Sequence, residues 1–397
     1  MSIISRYHQK NILPPGLASL YTSRTIVLIA MGFTGLFYPI FLLLNFHSLE
    51  KTIIWYLVTW ALYVFSVALG VKMINYIGIK NSIIASLPFL ALFYFASYNF
   101  SNNLLFWVVI AALALTFYRM LFWVPFHTDF TKFSQKKIRG RQIGLLGSIS
   151  SILGIIIPVI SGFLIKNYGF DFVFVIVIIL IFVAIIPLIF LPKVKEKFSW
   201  SYLKTWKEYF AHKNRKMMVA YMADGAENWI GGVLWPIFIW QLLNGEFLTV
   251  GLLSSVITFV AVILKLIIGD YTDRFDKRKL VGWGSILYSV GWIVKIFITT
   301  AVQIFFASTY HNFAMVILRT PFSALVYEKM ADSGHYVDEY STLREMYLHS
   351  GRIIVIVIVL FLLNYLSLNF IFILAAFASL FVNLLPKQGL YEKTGIK

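Results

Sequence analysis

Residues Phe172 to Pro192 read FVFVIVIILIFVAIIPLIFLP. No charged residue interrupts the run, which reaches the roughly 20 apolar residues that a helix needs to cross a bilayer. A β-barrel strand would alternate apolar and polar positions over about ten residues. Backbone groups in hydrocarbon must also find their partners within their own segment, so the stretch reads as a membrane-spanning helix. Working outward, comparable runs fall at 25–46, 52–74, 82–98, 103–126, 143–165, 171–191, 217–243, 248–268, 281–301, 304–328, 350–366 and 369–385. The predicted fold class is an all-α integral membrane protein with twelve transmembrane helices.

Composition agrees with this reading and excludes others. Of 397 residues 60% are hydrophobic and 13% charged, with mean hydropathy +0.81. Ordinary globular domains carry about 25% charged residues, so a soluble multidomain enzyme, a disordered chain and a coiled coil are excluded. Cysteine is absent, which removes disulfides, thiolate metal sites and cysteine nucleophiles. Residues 1–23 have no apolar core ending in a small-residue cleavage site, so no removable signal peptide is expected.

The formal charge of +17 does not call for nucleic acid, because a basic groove cannot be built from so apolar a chain. Its distribution is topological. Lys132, Lys136, Lys137, Arg139 and Arg141 follow span 4, a basic run from Lys193 to Lys216 follows span 6, and Arg274 to Lys279 follow span 8, whereas the loops on the other side, after the odd-numbered spans, hold only Lys51 and Lys166. The positive-inside rule then places both termini in the cytoplasm of a multi-pass protein of the plasma (inner) membrane.

The longest polar connection, residues 192–216, lies near the midpoint. Its Trp200, Tyr202, Leu203, Trp206 and Phe210 recur at helical spacing opposite lysines, the pattern of an amphipathic helix on the inner membrane surface. The expected domains are an N-terminal half (1–191), this linker (192–216) and a C-terminal half (217–397). The halves also look like copies. GLFYPIF at Gly35 to Phe41 matches GVLWPIF at Gly232 to Phe238, and Arg119 in span 4 falls against Arg319 in span 10 at nearly the same offset. Parallel six-span repeats with a substrate site between them are a known transporter construction.

After span 8 the chain reads GDYTDRFDKRKL, Gly269 to Leu280. This is similar to the loop motif of the major facilitator superfamily, G-x-x-x-D-R-x-G-x-(R/K)-(R/K), with Gly269, Asp273, Arg274, Arg278 and Lys279 in register and Asp276 where the family usually has Gly. The family's fuller copy normally follows span 2, where this chain keeps Gly78 and Lys80, with Asn75 near the place of the Asp. LTFYR in span 4 resembles the start of the family motif L-x-x-x-R-x-x-Q-G through Leu115 and Arg119, but Phe122 and Trp123 replace Gln-Gly. Span 5 keeps Pro158 and Gly162 of a glycine-rich pattern. The resemblance implies two six-helix pseudo-symmetric halves, alternating access, a gating role for the loop motif, and cavity-lining spans 1, 4, 7 and 10.

Charges inside spans need partners. YMADGAENWIGGVLW in span 7 puts Asp224, Glu227, Asn228, Gly231 and Trp235 on one stripe, and span 10 aligns Asn312, Arg319, Ser323 and Tyr327. Glu227 or Asp224 is expected to exchange a proton or bind a cationic group, with Arg319 as the alternate partner; a static ion pair between spans 7 and 10 is the structural alternative. Arg119 either pairs with Asp224 or Glu227 across the halves or binds an anionic substrate. Lys265 and Lys295 are expected to snorkel to the surface. His127 and Asp129 after span 4, and Glu328 and Lys329 after span 10, suggest a gating network or a solvated edge. Tyr38, Trp123, Trp229 and Trp235 are placed at the cavity.

These residues predict a proton-coupled secondary transporter of a small organic solute, acting as a monomer, with protons as coupling ion and the lipid bilayer as surroundings. No enzyme, cofactor or metal site is expected: H-E-x-x-H and nucleotide-binding motifs are absent, and outer-loop acids Glu50, Asp171 and Glu246 are isolated. The alternatives are an uncoupled facilitator, a lipid or amphiphile transporter, and a transport-inactive scaffold or sensor.

Overall fold

The structure, a computed structural model, describes residues 14–134, 139–193, 198–272, 276–332 and 336–385. Among them there is no strand. Helices α1 (Pro15–Gly35) and α2 (Tyr38–Phe46) form the first span, and α3 (Leu49–Ile77), α4 (Ile79–Tyr98) and α5 (Leu104–Phe133) the next three. Helix α6 (Arg139–Val183) carries spans five and six, bent at Gly169 (φ 77°), and α7 (Ile185–Ile189) completes the sixth. After α8 (Tyr202–Tyr209), the seventh span is α9 (Arg215–Trp229), a π-helical stretch Ile230–Leu234 and α10 (Trp235–Leu242). Then come α11 (Phe247–Thr272), α12 (Lys277–Lys295), α13 (Ala301–Asp332) and α14 (Val337–Leu362), and a short twelfth span made of a 3₁₀ turn, Leu368–Ile371, and α15 (Phe372–Phe381).

The molecule is thus an all-α membrane protein of twelve helices in two six-helix halves. Eight helices among the described residues are each long and apolar enough to cross a membrane, one of them holding two spans. The seventh span is divided, the ninth has a charged start and the twelfth is short. Outward faces carry large apolar side chains, such as Ile179, Phe306 and Phe361. With an even number of spans both described ends lie on one side, here the terminal face.

Local chemistry explains the breaks. Proline lacks an N–H and its ring clashes with the carbonyl four residues earlier. Pro39 accordingly follows the interruption between α1 and α2, and Pro236 follows the π-helical stretch in the seventh span. The first span of each half is therefore broken at the corresponding place. Spans two and three meet at Gly78, whose φ of 80° lies in the region glycine adopts without steric cost.

Glycines also set the tightest crossings. A methyl group added at Gly225 on α9 would run into the backbone of Leu348 on α14, and one at Gly351 would run into Met222 in return. Gly162 on α6 and Gly251 on α11 stand in the same relation to Phe247 and Pro158, which joins the halves along spans five and eight. Small residues that let backbones approach are a main source of helix association in lipid.

Three span limits differ from the hydropathy reading. The first span begins at Pro15, the fourth runs to Phe133 and the eleventh begins at Val337. The polar residues that ended the apolar windows, including Asp338, Glu339 and Glu345, are buried between helices and do not meet lipid. The connection after the sixth span also differs in part. Leu203 and Phe210 are exposed, but Trp200 is buried in the protein. Asn75 accepts from the Phe198 N–H at 2.8 Å and donates to its carbonyl at 2.9 Å, while Glu339 accepts from the Ser199 N–H at 2.9 Å. The segment is thereby tied to the second span and to the eleventh.

A buried ion-pair layer between two cavities

Asp224 and Glu227 sit on the last turns of α9, just before the π-helical stretch, which is where such irregularities often mark function. Arg319 of α13 reaches both carboxylates, Nη1 against Asp224 Oδ1 and Nη2 against Glu227 Oε2. The acid side chains are 5% and 3% exposed. Both carboxylates accept further hydrogen bonds. Asn228 donates to Asp224 Oδ1 at 2.8 Å, and Glu227 Oε1 accepts from Tyr288 at 2.7 Å and from the Trp292 indole at 3.3 Å. Buried charges persist only when paired and hydrogen-bonded in this way.

A cavity lies on each side of this layer. One, of about 280 Å³, is lined by Asp224, Arg319, His127, Arg344 and Arg352. It extends along the later turns of α13 and the early turns of α14, towards the terminal face. The other, of about 370 Å³, is lined by Glu227, Gly231, Trp235, Trp292, Lys295 and His311. It extends towards the opposite face. Asn228 borders both. Of the span-10 stripe, Ser323 faces the first cavity and Asn312 the second; the Tyr327 side chain lies outside the described residues.

Other sequence-derived placements are corrected. Arg119 makes no ion pair with Asp224 or Glu227: its guanidinium carbon lies 3.5 Å from the centre of the Trp60 ring. Tyr38 borders neither cavity. It packs among Trp55, Phe93 and Tyr94, with its hydroxyl 3.0 Å from Ser97 Oγ. Trp229 is buried beside Tyr56, and Trp123 packs beside His127. Lys295 does not snorkel; it is 2% exposed, with Nζ 4.2 Å from the Trp235 ring centre and 4.0 Å from that of Trp292. Rings can hold a cation where water is excluded. Lys265 on α11 is partly exposed. Glu246 lies 3.2 Å from Lys166.

Asp273 and Arg274 of the loop motif lie outside the described residues. Gly269 is in the last turns of α11, and Arg278 and Lys279 open α12, where their N–H groups donate to Asp276 Oδ1 at 2.9 and 3.0 Å. Near the terminal face Asp129 is fully buried, Thr128 donates to Asp338 at 2.7 Å, and Lys329 is buried. The Glu328 side chain is outside the described residues.

A second polar cluster escaped the sequence reading. Glu345 on α14 accepts from Arg344 at 2.8 Å and from Tyr63 at 3.2 Å, and its carboxylate lies 3.2 Å from His349 and 3.9 Å from His127. The His349 ring stacks on Trp60 at 4.5 Å, and the Arg352 guanidinium carbon is 4.2 Å from the centre of that ring. Glu345, His349 and Arg352 are spaced i, i+4 and i+7, one helix face. Hydropathy places Glu345 and His349 in the connection before the span at 350–366 and Arg352 in the first turn of that span, which divides the pattern. Arg24 was likewise passed over: it lies inside α1 against Trp123, 5.1 Å from the ring centre.

Comparison with known proteins agrees with the architecture. The sequence profile of the Major Facilitator Superfamily matches residues 20–216. An uncharacterized protein of Bacillus subtilis (strain 168), YqgE, is 25% identical over 252 residues, 59% of this chain. The match spans little more than half of that relative, 56% of its length. Among solved structures, the E. coli fucose:proton symporter FucP superposes with a TM-score of 0.67 at 12% identity, covering 93% of this chain and 97% of that one. A peptide transporter, POT, in complex with alafosfalin superposes with a TM-score of 0.66 at 10% identity, covering 95% of each chain. With twelve helices in two halves and the profile match across the first, the chain belongs to the major facilitator superfamily, a family of membrane transporters.

Proposed function

We propose that this transporter is a proton-coupled secondary carrier of a small organic solute that works by alternating access. The observation that carries the reading is the Arg319 clamp on Asp224 and Glu227, seated between a cavity that extends towards one face and a cavity that extends towards the other. Protonating Glu227 or Asp224 removes one leg of the clamp, so the seventh and tenth spans can part and the barrier can shift. Tyr288 and Trp292, which hold Glu227, border the second cavity and place that carboxylate beside a route for the proton. We take residues 192–216 as the linker between halves 1–191 and 217–397, and the terminal face as cytoplasmic, because the basic loops cluster there. In this arrangement the monomer suffices, since both cavities lie within one chain.

The test uses purified protein in liposomes loaded with a pH-sensitive dye, challenged with sugars, amino acids, dipeptides and organic acids. One solute class is expected to move protons with it, and Glu227→Gln or Asp224→Asn is expected to abolish the proton signal. Proton coupling that persists unchanged in both variants overturns the assignment.

A further inference from the structure

The cavity near the terminal face is lined by three arginines, and their partners are unequally distributed. Arg319 is held by two acids and Arg344 by Glu345. Arg352 has no carboxylate within ion-pair distance among the described residues; its contact is the Trp60 ring, and its Nε is buried without an acceptor. On the same ring lies Arg119, only 8% exposed, whose Nη1 also has no acceptor. Two guanidiniums thus share one indole, beside a cavity that reaches the ion-pair layer.

A guanidinium offers five N–H donors in a planar fork, and a ring face satisfies none of them. Leaving such donors and two like charges without anions is costly in a dry interior. Neither arginine is needed to neutralise an acid: Arg319 pairs with Asp224 and Glu227, Lys295 lines the same cavity as Glu227 and supplies the second positive charge of that layer, and Arg344 balances Glu345. Resting on the Trp60 ring instead leaves a donor of each fork, Arg119 Nη1 and Arg352 Nε, without a protein acceptor. Carboxylates and phosphates match that geometry with two parallel hydrogen bonds.

We infer that Arg352, with Arg119 beside it on Trp60, binds the acidic group of an organic anion, a carboxylate or a phosphate, as the substrate class of this cavity. The inference rests on the reading of the cavity as the solute site and extends it to the chemistry of the solute. The remaining cavity wall, with Phe322, Val326 and Leu348, gives the anion an apolar body to pack against. The bound anion occupies the acceptor positions that Trp60 cannot supply, and Asp224, close to the same space, repels it until it is protonated or turned to Arg319.

The experiment is thermal unfolding of the full-length protein in detergent with millimolar lactate, succinate, glycerol 3-phosphate, lysophosphatidic acid, glycerol, glucose and ethanolamine. Anions of at least one group are expected to raise Tm, while the neutral solutes and the amine leave it unchanged. Carboxylate against phosphate separates the acid type, and glycerol 3-phosphate against its lysolipid separates a soluble solute from a lipid headgroup. Arg352→Gln and Arg119→Gln should each weaken the stabilising anion about tenfold or more, the loss of a charge-assisted hydrogen bond. Arg352→Lys should restore it in part, keeping the charge without the fork. Because neither arginine has a carboxylate within ion-pair distance among the described residues, the ligand-free Tm of the Gln variants should stay level or rise, which a structural role would not produce. Stabilisation only by glucose, glycerol or ethanolamine, no anion effect at all, or an anion effect unaltered in both Gln variants overturns the inference. Anion binding through Arg352 without proton movement in liposomes would retain it and remove only the proton coupling.

Discussion

Arg119 and Arg319 occupy matching places on the fourth span of each half, yet their surroundings share almost nothing. Arg319 reaches two carboxylates, and Arg119 rests on an indole. The first spans repeat the contrast. Both are broken next to a proline, but beside Pro236 the residue Trp235 faces a cavity with Lys295, whereas beside Pro39 the residue Tyr38 is packed among rings. Backbone symmetry has been kept while the chemistry has diverged. The C-terminal half holds a buried cluster of paired charges, and the N-terminal half fills the equivalent space with aromatic side chains and presents one arginine towards its neighbour.

The difference between the arginines predicts opposite responses to the same substitution. Arg319→Gln leaves Asp224 and Glu227 buried without their cation, which costs on the order of 3–5 kcal/mol, and a large fall in Tm is expected. Combining it with Asp224→Asn and Glu227→Gln should recover most of that loss, since no charge is then stranded. Arg119→Gln strands no acid, so its Tm should stay level or rise. Equal destabilisation by the two single variants would show that the halves are not divided in this way.

Crossing glycines give the next largest effect. Gly351→Ala drives a methyl group into the backbone of Met222, which cannot move aside, and disturbs the helix that carries Asp224. Overpacking of this kind costs about 1–3 kcal/mol. Gly70 in the N-terminal half faces mainly the Met120 side chain, with the Met120 carbonyl oxygen at 2.9 Å, farther than the Met222 carbonyl oxygen at Gly351, and methionine's rotatable chain can give way. Gly70→Ala should therefore lower Tm by less than Gly351→Ala, and equal losses would place the rigid contact in both halves.

Much of this could be read from the chain, and the failures share one cause. Continuous apolar runs gave the spans because lipid-facing residues outnumber the rest, and the stripe from Asp224 to Trp235 was visible because its few charges stand in an apolar background. The eleventh span was entered too late because Asp338, Glu339, Arg344 and Glu345 lower the hydropathy of its first turns. Those residues face protein, so an average over all helix faces penalises the very positions that carry the chemistry. The surface position expected of Lys295 and the acid partner offered for Arg119 fail for a related reason. The partners of both residues are tryptophan rings, and an aromatic that holds a cation looks in sequence like any other apolar residue.

The smallest expected effect concerns the starts of corresponding spans. Span three begins after Gly78 without a side-chain cap, while span nine begins after Asp276, whose carboxylate accepts the N–H groups of Arg278 and Lys279. The loop motif usually has glycine at the place of Asp276, so this half has exchanged a permissive turn for a capped one. Those two backbone hydrogen bonds, the larger from Lys279, hold the Asp276 carboxyl below its ordinary pKa. A depressed carboxyl contributes stability above its unfolded pKa, about 3.9, and the contribution is lost as pH falls through the folded value. The Tm gap between wild type and Asp276→Ala should accordingly be constant from neutral pH to about pH 5 and close below about pH 4. Asp276→Asn keeps an acceptor without the charge, so its gap to Asp276→Ala should not vary with pH. A gap for Asp276→Ala that persists unchanged in acid would mean that the carboxylate's charge is not what holds the start of the ninth span.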